Sequence, residues 1–266
     1  MVPLVAVAHG SRDPRSAHTI SAAVDVLRAR HPHLDVRPSF LDLSAPSTAQ
    51  VLGGVAAEGH RDAVVVPLLL GSAFHARVDL PEIVNRTAVR YPGLTVHQAD
   101  VLGIDRALVG AVRDRILDTG VSADDPTVGV AVVAVGSSRP DANRATHGVV
   151  DELLARTAWR HGATCFATTG GAGPREAVRA LRAAGARRVV VAPWFLAPGL
   201  LTDRVAHELA DLGREFGDPH GTAVRPDRAV VLAEPIGAHP HLADVVTARY
   251  HAAVARLTRD PLRHTG

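Results

Sequence analysis

Three side chains of this sequence could share one chemistry: His9, Asp42 and His75. Two imidazoles and a carboxylate, with coordination positions left open, suit divalent iron, cobalt, nickel or zinc, and poorly suit calcium or magnesium. Neutral imidazole also accepts a proton near pH 7, so the same histidines could act as bases. No short metal motif fixes their spacing. What groups them is that each follows a stretch that reads as a parallel strand: His9 after Leu4 to Ala8, Asp42 near the end of a strand over about Val36 to Leu43, and His75 in the loop after Ala63 to Leu70. Adjacent strands lie roughly 5 Å apart, so side chains leaving their ends can converge on one ion.

His9 sits at the sharpest junction. The apolar run before it predicts a strand buried on both faces. Gly10 relaxes the backbone, and Ser11 or Asp13 followed by Pro14 reads as a helix cap with proline at the first helical position. In open α/β sheets, ligands bind outside the carboxyl ends of strands. Two readings of His9 stay open here, one in which it does chemistry and one in which it only hydrogen-bonds within its turn.

The elements that must position these residues alternate along the chain. Ile20, Val24 and Leu27 mark a helix over Ser16 to Arg30, and Val51, Leu52 and Val55 mark another up to Gly59. Helices are predicted over Glu82–Arg90 and Asp105–Asp118, with a strand over Leu94–Ala99 between them. Such alternation predicts a parallel sheet with helices on both faces. Val121 to Pro126 is polar and turn-rich and reads as a linker.

Beyond it the pattern restarts. A constant shift of 126 positions carries Gly10-Ser11 onto Gly136-Ser137, Pro14 onto Pro140, Phe40 onto Phe166, Gly59 onto Gly185 and Pro67 onto Pro193. Two copies of one α/β unit follow, with domains expected at 1–122 and 127–266. The same shift carries His9, Asp42 and His75 onto Val135, Thr168 and Leu201. The expected ligand set therefore belongs to the first copy alone.

Composition narrows the alternatives. Of 266 residues, 47% are hydrophobic and 21% charged, as in a globular protein, and no apolar segment is long enough to suggest a membrane span. No basic segment precedes the first strand, so the expected location is cytoplasmic. Cys165 is the single cysteine and reads as a small buried hydrophobe; no intrachain disulfide and no cluster held by four thiolates is possible. All 29 basic residues counted as lysine or arginine are arginine, which a coding bias explains as readily as carboxylate binding does. Nucleic acid is not expected as a partner, because the arginines are scattered and only 3% of residues are aromatic. His18, His60 and His97 read as structural, and His31, His33, His239 and His241 as solvated turn residues. Gly170 to Pro174 lacks the spacing of a phosphate loop and reads as a plain turn. A histidine phosphatase would want arginine before the histidine, where Ala8 stands.

The motifs Ala8-His9-Gly10-Ser11-Arg12-Asp13-Pro14, Phe40-Leu41-Asp42-Leu43-Ser44-Ala45-Pro46-Ser47 and Leu70-Gly71 through His75 to Val78-Asp79-Leu80-Pro81 together resemble those of the sirohydrochlorin chelatases of the CbiX/SirB family. The resemblance extends over nearly the whole chain, including Gly136-Ser137-Ser138 and Pro140-Asp141-Ala142-Asn143. It implies two similar chelatase-like domains, each a short parallel sheet flanked by helices, facing each other over a cleft. It implies insertion of ferrous iron or cobalt into sirohydrochlorin on the routes to siroheme or cobalamin, with nickel or zinc as further metals in vitro and no organic cofactor. His9 and His75 match the family's metal-handling histidines, and Asp42 stands where many members carry glutamate. The substrate's carboxylates make Arg12, Arg15, Arg77 and Arg139 expected clamps. A monomer is expected, and a non-catalytic metal or tetrapyrrole carrier on the same fold is the alternative.

Overall fold

The computed structural model describes residues 1–71, 79–169, 171–215 and 229–259. Among these, eight strands alternate with eight helices. In chain order they are β1 (Leu4–Ala8), α1 (Pro14–Arg30), β2 (Val36–Phe40), α2 (Thr48–Ala57), β3 (Asp62–Pro67), α3 (Leu80–Arg90), β4 (Thr95–Gln98) and α4 (Arg106–Leu117). The second series is β5 (Val128–Ala134), α5 (Pro140–Ala155), β6 (His161–Phe166), α6 (Pro174–Ala183), β7 (Arg188–Pro193), α7 (Leu200–Glu215), β8 (Val230–Leu232) and α8 (Pro240–Arg259).

The strands form two parallel four-stranded sheets, ordered β2-β1-β3-β4 and β6-β5-β7-β8. In the first, Leu4 pairs with Val36 on one side and Val64 on the other. β1 and β5 are buried along their whole length, which explains their unbroken apolar runs. The order makes the sites legible. The chain leaves β1 toward one edge of its sheet and leaves β3 toward the other, and ligands of such sheets bind where the direction reverses.

The expected α/β duplication is present, and the 126-residue shift relates β3 to β7 and α2 to α6 end to end. The compact units nevertheless divide the chain elsewhere than the expected boundaries of 1–122 and 127–266. One unit comprises Met1–Gly103 with Ala238–Gly266, and the other Ile104–Gly237. The reason is where the last helix of each half packs. α8 lies on α1 and β3. Its Tyr250 hydroxyl donates to the Val2 carbonyl at 2.7 Å, and its Arg249 guanidinium donates to the carbonyls of Val101 (3.1 Å) and Leu102 (2.8 Å). In the other unit α4 lies on α5 and β7. The segment read as a linker is packed there: Val121 is buried, and the Trp159 indole N–H donates to the Ser122 carbonyl at 2.8 Å.

Two local differences matter for the site. β2 stops at Phe40 instead of running to Leu43, because Leu43 has φ of 62° and the Phe40 N–H turns to the Pro46 carbonyl at 3.0 Å. Asp42 is therefore in a turn. α1 starts at Pro14 with Asp13 as its cap, the carboxylate accepting the Arg15 backbone N–H at 3.0 Å. The helix buries Ile20, Ala23, Val24 and Leu27, each large side chain contributing about 1.5–3 kcal/mol of burial.

Candidate metal centre

His9 is the first residue beyond β1, at the reversal point of the first sheet, and is half-buried. Its turn is stitched to the turn beyond β2. The Ala8 carbonyl accepts the Leu41 N–H at 2.9 Å and the His9 carbonyl accepts the Asp42 N–H at 3.0 Å, so the β1–β2 ladder continues past both strands. Gly10 follows with φ of +93°, and a Cβ there would stand 1.7 Å from the Asp42 carbonyl oxygen. Only glycine admits both that conformation and that approach. The structure thus brings His9 and Asp42 onto adjoining turns. Asp42 is exposed, and its Oδ1 accepts the Leu43 N–H at 2.8 Å.

The His9 Nδ1 lies 3.2 Å from the Gly10 carbonyl oxygen. In the tautomer that donates this bond, the lone pair resides on Nε2, the arrangement that suits a metal-binding or proton-accepting imidazole. His75 and Arg77 lie outside the described residues. Among the described residues no three His, Cys, Asp or Glu side chains are grouped so as to hold an ion.

The arginines differ from one another. Arg12 and Arg139 are exposed beside the two Gly-Ser turns. Arg15 is engaged by its neighbour: its Nε lies 3.1 Å and 3.2 Å from the two Asp13 carboxylate oxygens and its Nη2 lies 2.5 Å from Oδ2. The same guanidinium, with the backbone N–H, holds the Asp13 carboxyl below its usual range. To clamp a substrate carboxylate, Arg15 must share or leave this partner.

The second unit repeats the backbone with different side chains. Thr168 N–H donates to the Val135 carbonyl at 2.9 Å, as Asp42 N–H does to His9. Gly136 has φ of +92°, with Thr169 O 2.0 Å from a would-be Cβ. The Thr168 hydroxyl, the one coordinating group at these positions, donates to the same Val135 carbonyl at 2.6 Å. Leu201 falls in the first turn of α7, and its counterpart under the shift, His75, lies outside the described residues.

Other sequence readings meet their structural partners. Cys165 is fully buried, and burial pushes its thiol up to about 12. His97 of β4 pairs at 2.9 Å with Asp62, the first residue of β3. Residues that sequence reasoning passed over are Ser44, whose hydroxyl bonds both the N–H (3.1 Å) and the carbonyl (3.0 Å) of Ser11, and Asn143, whose carboxamide does the same to Ser137 at 2.9 Å and 2.7 Å. Both stand within the motifs that carry the family resemblance, where the sequence assigned them no role of their own.

Comparison with known proteins fits this doubled architecture. The sequence matches the CbiX family over residues 3–119 and again over 129–253. The chain belongs to the CbiX family. This CbiX-family chain is 30% identical over 250 residues to a sirohydrochlorin ferrochelatase of Bacillus subtilis (strain 168), covering 94% of the chain and 90% of that protein. It is 26% identical to a sirohydrochlorin cobaltochelatase of Priestia megaterium, covering 94% of the chain and 79% of that protein. Among solved structures, SirB from Bacillus subtilis with Fe3+ superposes with a TM-score of 0.76 at 26% identity, covering 97% of this chain and 98% of that one. SirB from Bacillus subtilis subspecies spizizenii in complex with cobalt does so with a TM-score of 0.76 at 25% identity, covering 98% of each.

Proposed function

We infer that the chain is a sirohydrochlorin chelatase, a lyase that inserts a divalent metal, ferrous iron or cobalt, into sirohydrochlorin in siroheme or cobalamin biosynthesis. The observation that carries this reading is the turn that seats His9 at the sheet's reversal point against the Asp42 turn, in a chain that belongs to the CbiX family over both halves.

Insertion has simple requirements. A divalent ion must shed water and pass to four pyrrole nitrogens, two of which release a proton each, so one metal enters and two protons leave. We assign His9 and His75 as metal ligands and Asp42 as a carboxylate beside them. An imidazole lone pair serves in turn: it holds the ion until the macrocycle takes it, and then accepts a released proton and passes it to water. Two imidazoles match two protons. Asp42, with one oxygen engaged by Leu43, offers charge to the incoming cation without enclosing it. An open ligand set suits an ion that must leave again.

Sirohydrochlorin carries many carboxylates, and the arginines are the matching groups. Arg12 and Arg139 are assigned as clamps on their exposure, Arg77 on its place before α3, and Arg15 in the second rank because Asp13 already engages it. Nickel and zinc are expected to serve in vitro, no organic cofactor is required by the chemistry, and the chain is assigned as a cytoplasmic monomer that binds neither nucleic acid nor membrane. Among the described residues no helix is long and apolar enough to cross a membrane. The test is an anaerobic assay following the sirohydrochlorin absorption bands with Fe2+ or Co2+. Many turnovers per chain are expected, and a change that stops at one equivalent identifies a carrier instead.

A further inference from the structure

The ladder that joins the His9 and Asp42 turns ends at the His9 carbonyl. Beyond it the two chains diverge, one at Gly10 with φ of +93° and the other at Leu43 with φ of 62°. On the far side of Gly10 the two turns are joined again, by one side chain. Ser44 Oγ accepts the Ser11 N–H at 3.1 Å and donates to the Ser11 carbonyl at 3.0 Å, bonds that a hydroxyl can make together. His9 and Gly10 are thus bracketed, with a backbone bond to the Asp42 turn before them and a serine bond to the same turn after them.

The second unit shows that this tie is not a requirement of the fold. Ser137, at the position of Ser11, also has its N–H and carbonyl both satisfied, but by Asn143 from α5, the helix that the same turn begins. Gly170, at the position of Ser44, carries no side chain that could make the Ser44 bonds. Ala17 stands at the corresponding position of α1 and has no group to offer. In the copy that carries His9 and Asp42, Ser11 is held by a side chain of the Asp42 turn, and in the other copy Ser137 is held by a side chain of its own helix.

We propose that Ser44 is a positioning residue that fixes the spacing of His9 and Asp42 for metal, an inference that rests on the assignment of those two residues to the metal. Freed of the tie, the two turns keep the backbone bond between His9 and Asp42 and lose the second anchor, beyond Gly10, that fixes their spacing. Metal binding should suffer before macrocycle binding does, because the displaced groups touch the ion.

The experiment compares wild type, Ser44→Ala, Ser44→Thr, and Ser44→Ala combined with Ala17→Asn. In Ser44→Ala the KM for Co2+ is expected to rise fivefold or more while the KM for sirohydrochlorin stays within twofold, and the visible spectrum of chain-bound Co2+ should change. Ser44→Thr, which keeps the hydroxyl, should restore both. The Ala17→Asn combination supplies the tether of the second unit, so it should raise thermal stability toward wild type and leave the metal KM and spectrum altered. A metal KM and Co2+ spectrum unchanged in folded Ser44→Ala, or both restored by Ala17→Asn, overturns the proposal, the latter by showing that anchoring Ser11 is all that matters. His9→Ala run alongside separates this from the underlying assignment: if it inserts metal at the wild-type rate, the assignment itself is wrong.

Discussion

At the end of β1 the His9 carbonyl accepts the Asp42 N–H at 3.0 Å; at the end of β5 the Val135 carbonyl accepts the Thr168 N–H at 2.9 Å. Gly10 and Gly136 have φ of +93° and +92°, each pressed against a carbonyl of the neighbouring turn. Phe40 and Phe166 donate to the Pro46 and Ala172 carbonyls at the same 3.0 Å. Ser11 and Ser137 accept from the N–H of Asp13 and Arg139, at 3.0 and 3.1 Å. The shared features are backbone bonds and the residues that permit them. The features that differ are side chains at the rim, where Val135 is 45% exposed. Duplication here preserved what the fold needs, and the histidine and carboxylate of the first unit are not among those needs.

The comparison can be broken most directly by His9→Ala beside Val135→Ala. The first is expected to lower kcat/KM by about 10²–10⁴, the range for losing a positioned acid–base group, with circular dichroism unchanged; the second should stay within twofold. Equal losses would mean that the second unit also does chemistry. Next come the glycines. Gly10→Ala and Gly136→Ala should each cost about 3 kcal/mol or more in urea unfolding, since both add a Cβ against a carbonyl at a left-handed φ. Where both variants remain folded, only Gly10→Ala should also lower the rate. Cobalt calorimetry sharpens the contrast further, with about one strong site per chain expected. That site should weaken tenfold or more in His9→Ala and be untouched in Leu201→Ala. Two equal sites would place a ligand set in each unit.

Smaller effects belong to the arginines. Arg12→Ala and Arg139→Ala should each raise the KM for sirohydrochlorin about fivefold or less, on the order of 1 kcal/mol for an exposed pair, and rising salt should reproduce the effect in wild type. A salt-independent KM would remove the clamps. The smallest effect lies at the opposite end of α1. His31, read from the sequence as a solvated turn residue, has a buried Nε2 with no hydrogen-bond partner among the described residues, and desolvation first, then His33, Arg30 and His251, hold its pKa below the ordinary 6.5, with Asp244 opposing. The depressed value means that the folded state resists the proton. Stability is unaffected above 6.5 and declines as pH falls from there through the folded value, because the unfolded chain protonates first. His31→Asn should flatten urea midpoints measured between pH 7 and about 5, while leaving metal insertion at pH 7 intact.

What could be read from residue order was local or periodic. Leu4–Ala8 is apolar because both faces of β1 are covered; Asp13-Pro14 caps α1 through a bond spanning two residues; and the constant shift exposed the duplication before any contact was known. His9 stood out because it combines a buried strand, a glycine turn and a helix start within a few positions. The extent of β2 was misread, since nothing in Phe40-Leu41-Asp42-Leu43 announces a left-handed Leu43. What only the tertiary structure decided was long-range. The exchange of α4 and α8 between the linear halves follows from which sheet face each helix covers, and amphipathic periodicity states that a face is apolar without saying which partner covers it. The Ser44 tie to Ser11 spans 33 residues. It leaves no mark in composition or spacing, because a hydrogen bond between distant residues exists only once the backbone has brought them within about 3 Å.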